Sequence, residues 1–421
     1  MVKKAGTAIV LGLMLLSSPA MGNEKAYFSY LENMYKEQNK KLYTYLIEEF
    51  ERYRNRFPAS SYLEQSQFYI ANLHFAEKKE QLALASYLKV LYLYPNSPHR
   101  PRCIEHIGIL LRDESSLKKN SLSIEAKLRQ NFANGTDADR YYKFLTFIET
   151  LDQKKLHFYL VREAANFVAL HPTDSRVDQI LNIAAQIYYD AGKHNESAAA
   201  YTKLSFLTPG SPLLPHSQYK TGTILYKKLD RYEDAEVIYA GVIKDFQDDQ
   251  YAGNAMFMLG EIKEKKRKNY EAAIAQYRQM IESYPQNSNA PLALWRIAKI
   301  SSKRLDDISK AILTYNEIIK RYPESDLLVS ALEENSGLYQ KKLKDYEKAA
   351  EFLARSAKLI PKHKKTPDMI LRAGIIAEDR IEDYALAATY YKMVIAKYPN
   401  HKKAGSARKK LEKVEKKMVA K

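Results

Sequence analysis

Apolar and small residues recur along the chain with the spacing of amphipathic helices. Tyr270, Ala273 and Tyr277 lie three and four residues apart, so they share one face of a helix. Pro285 ends this helix, because its ring pushes the preceding residue out of the helical region. A second helical pattern upstream contains Gly260. Since glycine in a helix costs about 1 kcal/mol relative to alanine, we expect Gly260 to lie where two helices approach closely.

This pattern of two helices and a proline recurs along most of the chain. Pro285, Pro323, Pro361 and Pro399 follow one another at intervals of 38 residues. In most periods a small residue lies twelve positions before the proline, and a tyrosine or leucine lies eight positions before it. The spacing predicts an all-α fold, an α-solenoid of about ten tandem helix pairs. The earlier prolines that fit this period are Pro58, Pro95, Pro172 and Pro209.

The composition agrees with a helical protein and excludes several other classes. The 421 residues include only 14 glycines but 33 tyrosines, which argues against sandwiches, barrels and glycine-rich phosphate loops. Hydrophobic residues make up 46% of the chain, enough to exclude wholesale disorder. Because Cys103 is the only cysteine, a disulfide framework and a cysteine-based zinc cluster are excluded.

The first residues have the pattern of a secretory signal peptide. Lys3 and Lys4 precede an apolar segment at residues 8–16, and residues 20–22 form a small-residue cleavage site. The apolar segment is shorter than the roughly 20 residues of a membrane span. We therefore predict export of a soluble mature chain to the periplasm, without a transmembrane segment. No cysteine follows the apolar segment, so a lipoprotein is not expected; an uncleaved N-terminal anchor is the alternative.

The residues of one period resemble a known family. Gly260, Tyr270, Ala273, Tyr277 and Pro285 follow the order of small, aromatic, alanine, aromatic and proline positions of the tetratricopeptide repeat (TPR). The period is 38 residues instead of the usual 34, and we place the extra residues in the turns. The resemblance implies a right-handed superhelix whose first helices line a concave groove that binds protein partners.

The ends of the repeats are similar to an exported bacterial subgroup of this family. Residues 94–97 and 322–325 read Tyr-Pro-x-Ser. The subgroup includes BamD-like outer-membrane assembly lipoproteins and the periplasmic coordinator of the Tol-Pal system. This chain differs from the former by lacking a lipidation cysteine and from the latter by lacking N-terminal coiled-coil heptads. The resemblance implies a scaffold in outer-membrane or envelope assembly, peripheral to the outer membrane.

Two segments depart from the regular repeat. Residues 111–150 keep the period but have Phe147 where a small residue is expected, so they form either a degenerate repeat or a bend. Residues 401–421 are rich in lysine, which predicts a solvating cap helix or, alternatively, a basic patch against an anionic envelope surface. The predicted organisation is a signal peptide at 1–22, N-terminal repeats at 23–110, a connecting region at 111–150, a C-terminal repeat array at 151–400 and the basic tail at 401–421.

The sequence contains no recognisable catalytic motif. The patterns G-x-S-x-G, H-E-x-x-H and the Walker loop are absent. His99, Cys103 and His106 have offsets of four and three, but they fall short of the usual metal-ligand set. We expect Cys103 to be a buried helix residue, and we predict a protein that is not an enzyme and has no cofactor or metal. A catalytic site within residues 111–150 is the minor alternative.

Two positions of the first helix form rows when the repeats are superimposed. Aromatic residues lie three positions before the small residue of this helix, and lysines lie five positions after it. These positions are about 80° apart on one helix face. The candidate groove residues are Tyr219, Phe257 and Trp295 in the aromatic row and Lys227, Lys265, Lys303 and Lys341 in the lysine row. The rows either bind a ligand, or the rings pack against the next repeat while the lysines compensate the helix dipole.

The charge balance indicates the chemistry of the partner. The chain has 67 Lys+Arg against 50 Asp+Glu, a formal net charge of +17, so we expect an acidic protein or peptide partner. The alternative is an accessory protein in polymer export that binds peptidoglycan or an anionic exopolysaccharide. Nucleic acid is not expected as a partner, because the chain is predicted to be exported.

Overall fold

The computed structural model describes residues 24–130 and 132–419. These residues form helices joined by short turns, and they contain no β-strand. The predicted all-α fold is therefore confirmed. The predicted signal peptide at residues 1–22 lies outside the described residues. The helices form two compact units, one that ends at Ser217 and one that begins at Gln218.

In the N-terminal unit, most successive helices pack against one another as antiparallel pairs. We call the members of a pair its first and second helix. Short 3₁₀ segments lie at Lys40–Leu42, Ser115–Asn120 and Lys154–Leu156, each directly before an α-helix. The helices are α1 (Glu24–Lys36), α2 (Tyr43–Arg56), α3 (Leu63–Ala76), α4 (Glu80–Leu93), α5 (Arg100–Asp113), α6 (Ser121–Leu128), α7 (Asp137–Thr150), α8 (His157–Leu170), α9 (Val177–Asp190) and α10 (His194–Leu207).

The next helix, α11 (Leu214–Lys227), contains the boundary between the units, and the C-terminal unit repeats the same pairing. The first helices that begin at Leu328 and Thr366 continue into π-helical turns at Tyr339–Leu343 and Ala377–Ile381. Nowhere in the described ranges is a helix both long and apolar enough to span a bilayer. The remaining helices are α12 (Tyr232–Asp245), α13 (Gln250–Lys265), α14 (Tyr270–Ser283), α15 (Ala290–Lys303), α16 (Ile308–Arg321), α17 (Leu328–Leu338), α18 (Tyr346–Ala354), α19 (Ser356–Leu359), α20 (Thr366–Ile376), α21 (Tyr384–Lys397) and α22 (Lys402–Val419).

A glycine and a tyrosine make the close contact inside several pairs. The ring of Tyr277 on α14 lies so near Gly260 on α13 that an added Cβ atom would be 2.6 Å from the ring. Real Cβ atoms do not approach other atoms this closely, so a side chain at Gly260 would displace the ring. The same contact joins Gly222 to Tyr239 and Gly374 to Tyr391.

The turn after most of the second helices is closed by one polar side chain. Two residues after Pro95, the Ser97 hydroxyl accepts the backbone N–H of His99 at 3.0 Å. This side-chain acceptor satisfies a backbone donor at the start of the next helix. Ser, Asp, Asn and His can each supply this acceptor, which explains why only some repeats read Pro-x-Ser. The residues in this role are Ser60, Ser97, Asp174, Ser211, Asp249, Asn287, Ser325, His363 and His401.

The turn between the two helices of a pair contains a residue with a left-handed backbone. In the C-terminal unit, φ is between 52° and 58° at Asp230, Lys268, Asp306, Lys344 and Glu382. These positions are one period apart, so each repeat places the same backbone conformation at the same point. A left-handed conformation costs a residue with a side chain roughly 1–2 kcal/mol, which packing of the two helices must offset.

The basic tail forms helix α22, which packs on α20 and α21. Its Lys410, Lys413 and Lys417 have Nζ atoms 3.0, 3.4 and 3.5 Å from the carboxylate oxygens of Glu378, whose side chain is fully buried. The Tyr391 hydroxyl donates to the same carboxylate at 2.9 Å. Burial alone would raise the pKa of Glu378, but the hydrogen bonds from Lys410 and Tyr391 outweigh it and lower the pKa to about 2.

Candidate functional site

The candidate site is the surface of the C-terminal unit formed by the predicted aromatic and lysine rows on α11, α13, α15 and the α17 repeat, here called the first-helix face. Each aromatic residue contacts the buried tyrosine of the second helix in its own repeat. Phe257 is buried, while Tyr219 and Trp295 are half-buried. Each ring is therefore anchored within its own repeat, and Tyr219 also packs on Tyr251 of the next repeat, with centroids 5.3 Å apart. The centroid distances are 5.9 Å for Tyr219 and Tyr239, 5.4 Å for Phe257 and Tyr277, and 5.3 Å for Trp295 and Tyr315.

Trp295 has a charged neighbour as well as an aromatic one. The Lys299 Nζ atom lies 4.9 Å from the centroid of the Trp295 ring. The same ammonium group donates a hydrogen bond to Glu334 of the next repeat at 2.5 Å. A cation over a partly exposed ring contributes about 0.5–1 kcal/mol. The ring thus lies between a packing contact with Tyr315 and a salt-bridged lysine.

Two lysines of the predicted row bind one buried carboxylate. Lys227 and Lys265 both donate hydrogen bonds to Glu261, whose side chain is only 7% exposed. Burial alone would raise the pKa of Glu261, but these hydrogen bonds outweigh it and lower the pKa. Arg296 of the next repeat also approaches this carboxylate, at 4.0 Å. The charges at this end of the row are therefore partly offset inside the protein.

Lys303 and Lys341 form the open end of the lysine row. Both side chains belong to exposed residues near the ends of first helices. Within the ranges that the structure describes, neither lysine forms a salt bridge with a carboxylate. These two cations are therefore available to a partner, unlike the two that bind Glu261.

The structure also contains carboxylates that the sequence pattern did not single out. Glu261, Glu333 and Glu334 lie on first helices and each binds a basic side chain of a neighbouring repeat. Arg372, for example, donates to Glu333 at 2.8 Å. The paired residues are 34, 35 and 39 positions apart, close to one period. Opposite charges about one period apart in the sequence are the signal that would have indicated these carboxylates.

The three residues weighed as metal ligands have separate packing roles. Cys103 is fully buried, and burial raises the pKa of its thiol to about 12. The His99 ring stacks on Phe68 with centroids 4.1 Å apart, and the His106 ring stacks on Phe75 at 4.8 Å. Among the described residues, no three His, Cys, Asp or Glu side chains are grouped so that they could hold a metal ion.

Comparison with known families identifies the repeat. One model of the tetratricopeptide repeat matches residues 65–97, 254–287, 292–325 and 368–401, and a second matches 334–363. The chain is a tetratricopeptide-repeat protein. The matched TPR segments of the C-terminal unit contain five of the seven predicted groove residues: Phe257, Lys265, Trp295, Lys303 and Lys341.

Solved structures of other proteins are similar to this TPR chain. A tetratricopeptide repeat protein from Parabacteroides merdae is 16% identical, with 66% of this chain and 99% of that chain covered and a TM-score of 0.38. The C-terminal part of a TPR repeat-containing protein from Cytophaga hutchinsonii is 14% identical, with coverage of 61% and 99% and a TM-score of 0.40. The apo form of RapI is 12% identical, with coverage of 94% and 97% and a TM-score of 0.40. A comparison with curated proteins gives no match.

Proposed function

We propose that the protein is a non-enzymatic scaffold of the bacterial envelope that binds protein or peptide segments on its first-helix face. The observation that carries this proposal is the run of TPR segments between residues 254 and 401. Consecutive repeats present equivalent helix faces side by side, which suits an extended peptide or a partner helix. Tyr219 and Trp295, which are half-buried, supply apolar contact area on this face.

The open end of the lysine row supports an acidic partner. A carboxylate of the partner gains the most binding free energy at Lys303 and Lys341, because there it does not compete with an internal carboxylate such as Glu261. Trp295 lies two helical turns before Lys303 on the same helix and offers an apolar anchor. We therefore assign the centre of binding to Trp295, Lys303 and Lys341, with Tyr219 as a flanking contact, while Phe257 is buried against Tyr277.

The envelope location rests on the N-terminal sequence. Residues 1–22 carry the charge, apolar segment and small residues of a signal peptide. The Tyr-Pro-x-Ser repeat endings, which are similar to the exported subgroup, support a role in outer-membrane or envelope assembly. The mature chain begins at Asn23 in this proposal and works in the periplasm, peripheral to the outer membrane.

Trp295 fluorescence tests the binding proposal directly, because it is the only tryptophan. Mature chain from the periplasmic fraction is titrated with a short glutamate-rich peptide and with the same peptide carrying glutamine at each glutamate. We expect a saturable signal with the acidic peptide only. Binding should weaken as salt is added, since exposed charges separated by more than about 8–10 Å are screened at physiological ionic strength.

Paired variants separate binding from stability, with affinities measured by calorimetry. Lys303→Ala/Lys341→Ala should weaken peptide binding and flatten its salt dependence, while Trp295→Ala should cost about 2 kcal/mol of binding free energy. The matched control is Lys310→Ala/Lys320→Ala, which removes two exposed lysines from second helix α16. Equal affinity for both peptides, or equal effects of both lysine pairs, would overturn the proposal. Binding of soluble peptidoglycan fragments without binding of peptide would favour the role in polymer export.

A further inference from the structure

The N-terminal unit contains a cavity of about 610 Å³ beside the degenerate repeat. The second helix of this repeat, α6, has 8 residues, whereas second helices α4 and α8 have 14. Because α6 is short, α4 packs directly against α7. A space is left between the end of α6 and one face of α7. Small-molecule sites commonly have volumes of roughly 300–1,000 Å³, and this cavity is within that range.

Aromatic rings form the base of the cavity. Tyr92, Phe132 and Phe147 line it and are 4%, 7% and 6% exposed. The Tyr92 ring centroid is 4.4 Å from that of Phe132 and 6.1 Å from that of Phe147. The Lys127 Nζ atom lies 5.7 Å from the Phe147 centroid. These rings offer a firm apolar surface with a cation at its edge, on which a ring of a ligand can lie.

Cations line the walls of the cavity. Lys127, Arg140 and Lys143 border it, and its lining among the described residues includes no Asp or Glu. The Arg140 guanidinium donates to the Gly135 carbonyl at 2.7 Å and to the Asp137 carboxylate. Its Nε–H, however, is buried without a hydrogen-bond partner. Asp137 offsets one of the three positive charges, so the cavity keeps a net positive charge.

Neutral polar groups complete the lining. The Thr146 hydroxyl donates to the Tyr142 carbonyl at 3.0 Å, and the Thr150 hydroxyl donates to the Phe147 carbonyl at 2.7 Å. A hydroxyl oxygen that donates can still accept hydrogen bonds from a ligand. The cavity therefore offers apolar contact, cationic donors and neutral acceptors within one small volume.

We propose that this cavity binds an organic anion that carries a ring. The oxyanion lies between Lys127, Arg140 and Lys143, because lysine and arginine form strong charge-assisted hydrogen bonds with carboxylate, phosphate or sulfonate oxygens. The ring lies on Phe132 and Phe147, where it displaces water from apolar surface. The site belongs to the N-terminal unit and does not depend on the function proposed for the first-helix face.

Anilinonaphthalene sulfonate is a suitable first probe, since it joins a sulfonate to a fused ring and fluoresces in apolar surroundings. We expect saturable binding to the full chain. Phenyl phosphate and glucuronate test an aromatic phosphate and a sugar carboxylate as the natural class, and the stronger competitor identifies it. Phenol lacks the charge and inorganic phosphate lacks the ring, so both should compete more weakly. Displacement by phenol as efficient as that by phenyl phosphate would overturn the proposal.

Variants locate the probe in the cavity. Lys127→Gln/Lys143→Gln should weaken probe binding by about tenfold or more, because two charge-assisted contacts are lost. The control Lys154→Gln/Lys155→Gln removes the same charge from exposed residues outside the cavity and should leave affinity unchanged. Thr146→Trp should block binding by filling the cavity while every cation is retained. Circular dichroism checks that each variant is folded, and undiminished binding by folded Thr146→Trp protein would overturn the proposal.

Discussion

The contact between Gly260 and Tyr277 shows what the repeat requires at the scale of single residues. The tyrosine ring lies against the backbone of the first helix, and its hydroxyl donates to Glu264 at 2.9 Å. One side chain therefore fills the helix crossing and satisfies its own polar group. The glycine leaves room for the ring, which explains why three repeats have glycine at this position although it disfavours the helix.

Substitution at this crossing should destabilise the C-terminal unit. Gly260→Leu forces side-chain volume against the Tyr277 ring, and overpacking of this kind typically costs about 1–3 kcal/mol. The control is Gly241→Leu on second helix α12, where an added Cβ atom has no neighbour within 4 Å. Gly241→Leu should leave the free energy of unfolding unchanged or raise it by up to about 1 kcal/mol, because leucine has a better helix propensity than glycine. Urea unfolding of both variants measures the difference; an unchanged midpoint for Gly260→Leu would contradict the packing assignment.

Residue types at the crossing could be predicted from the sequence, but the partners of the lysines could not. A repeated glycine within a helical pattern has few explanations other than close packing. Lys227, in contrast, can reach solvent, its own helix or the next repeat, and only the fold brings Glu261 beside it. The lysine row was predicted as a uniform feature, whereas the structure divides it into a part that binds Glu261 and an open part at Lys303 and Lys341.

At the scale of elements, helix α22 packs on α20 and α21 through buried residues such as Ala407 and Val414, and one carboxylate adds a cluster of ion pairs. Glu378 is buried and binds Lys410, Lys413 and Lys417 of that helix. Glu378→Gln should therefore loosen the attachment of α22 and lower its local free energy of unfolding by about 1–3 kcal/mol. The loss is limited to this range because the three lysines are partly exposed and become solvated again. Hydrogen exchange of the α22 amides measures this loss.

The pH dependence of the same contact has a defined sign. The pKa of Glu378 falls from 4.5 to about 2 on folding, so the folded chain favours the ionised form. Its stabilising contribution is complete above about pH 5 and is lost as pH falls from 4.5 to about 2. Glu378→Gln should remove this part of the acid sensitivity, whereas Glu412→Gln, which breaks an exposed pair with Lys416, should change it little. Equal acid sensitivity of the wild type and Glu378→Gln would contradict the assignment.

The helices themselves were the most predictable feature, because the apolar periodicity and the prolines act locally. The length of α6 was less predictable. Residues 111–150 keep the period in sequence, yet α6 ends after 8 residues. The contact of α4 with α7 that replaces a full second helix is a tertiary feature, and no local pattern encodes it.

At the scale of the whole molecule, hydrogen bonds between neighbouring repeats join the helix pairs of the C-terminal unit. The Tyr322 hydroxyl donates to the carbonyl of Pro285, and the Tyr398 hydroxyl donates to the carbonyl of Pro361, each at 2.9 Å. Each bond joins residues 37 positions apart, so it connects the ends of two successive second helices. The tyrosine before the proline thus acts between repeats, while the proline ends the helix.

In a repeat array, stability is approximately a sum of repeat and interface contributions. Tyr322→Phe and Tyr398→Phe each remove one hydrogen bond between repeats, and each should cost about 0.5–1.5 kcal/mol. Because the two bonds share no residue, the double variant should lose the sum of the two single effects within about 0.5 kcal/mol. Chemical unfolding of the single and double variants measures these values. The control is Tyr315→Phe, since the buried Tyr315 hydroxyl has no hydrogen-bond partner in the described structure; its removal should be neutral or stabilising. If Tyr315→Phe proved as costly as Tyr322→Phe, the loss could not be assigned to the hydrogen bonds between repeats, and this account of the interfaces would be contradicted.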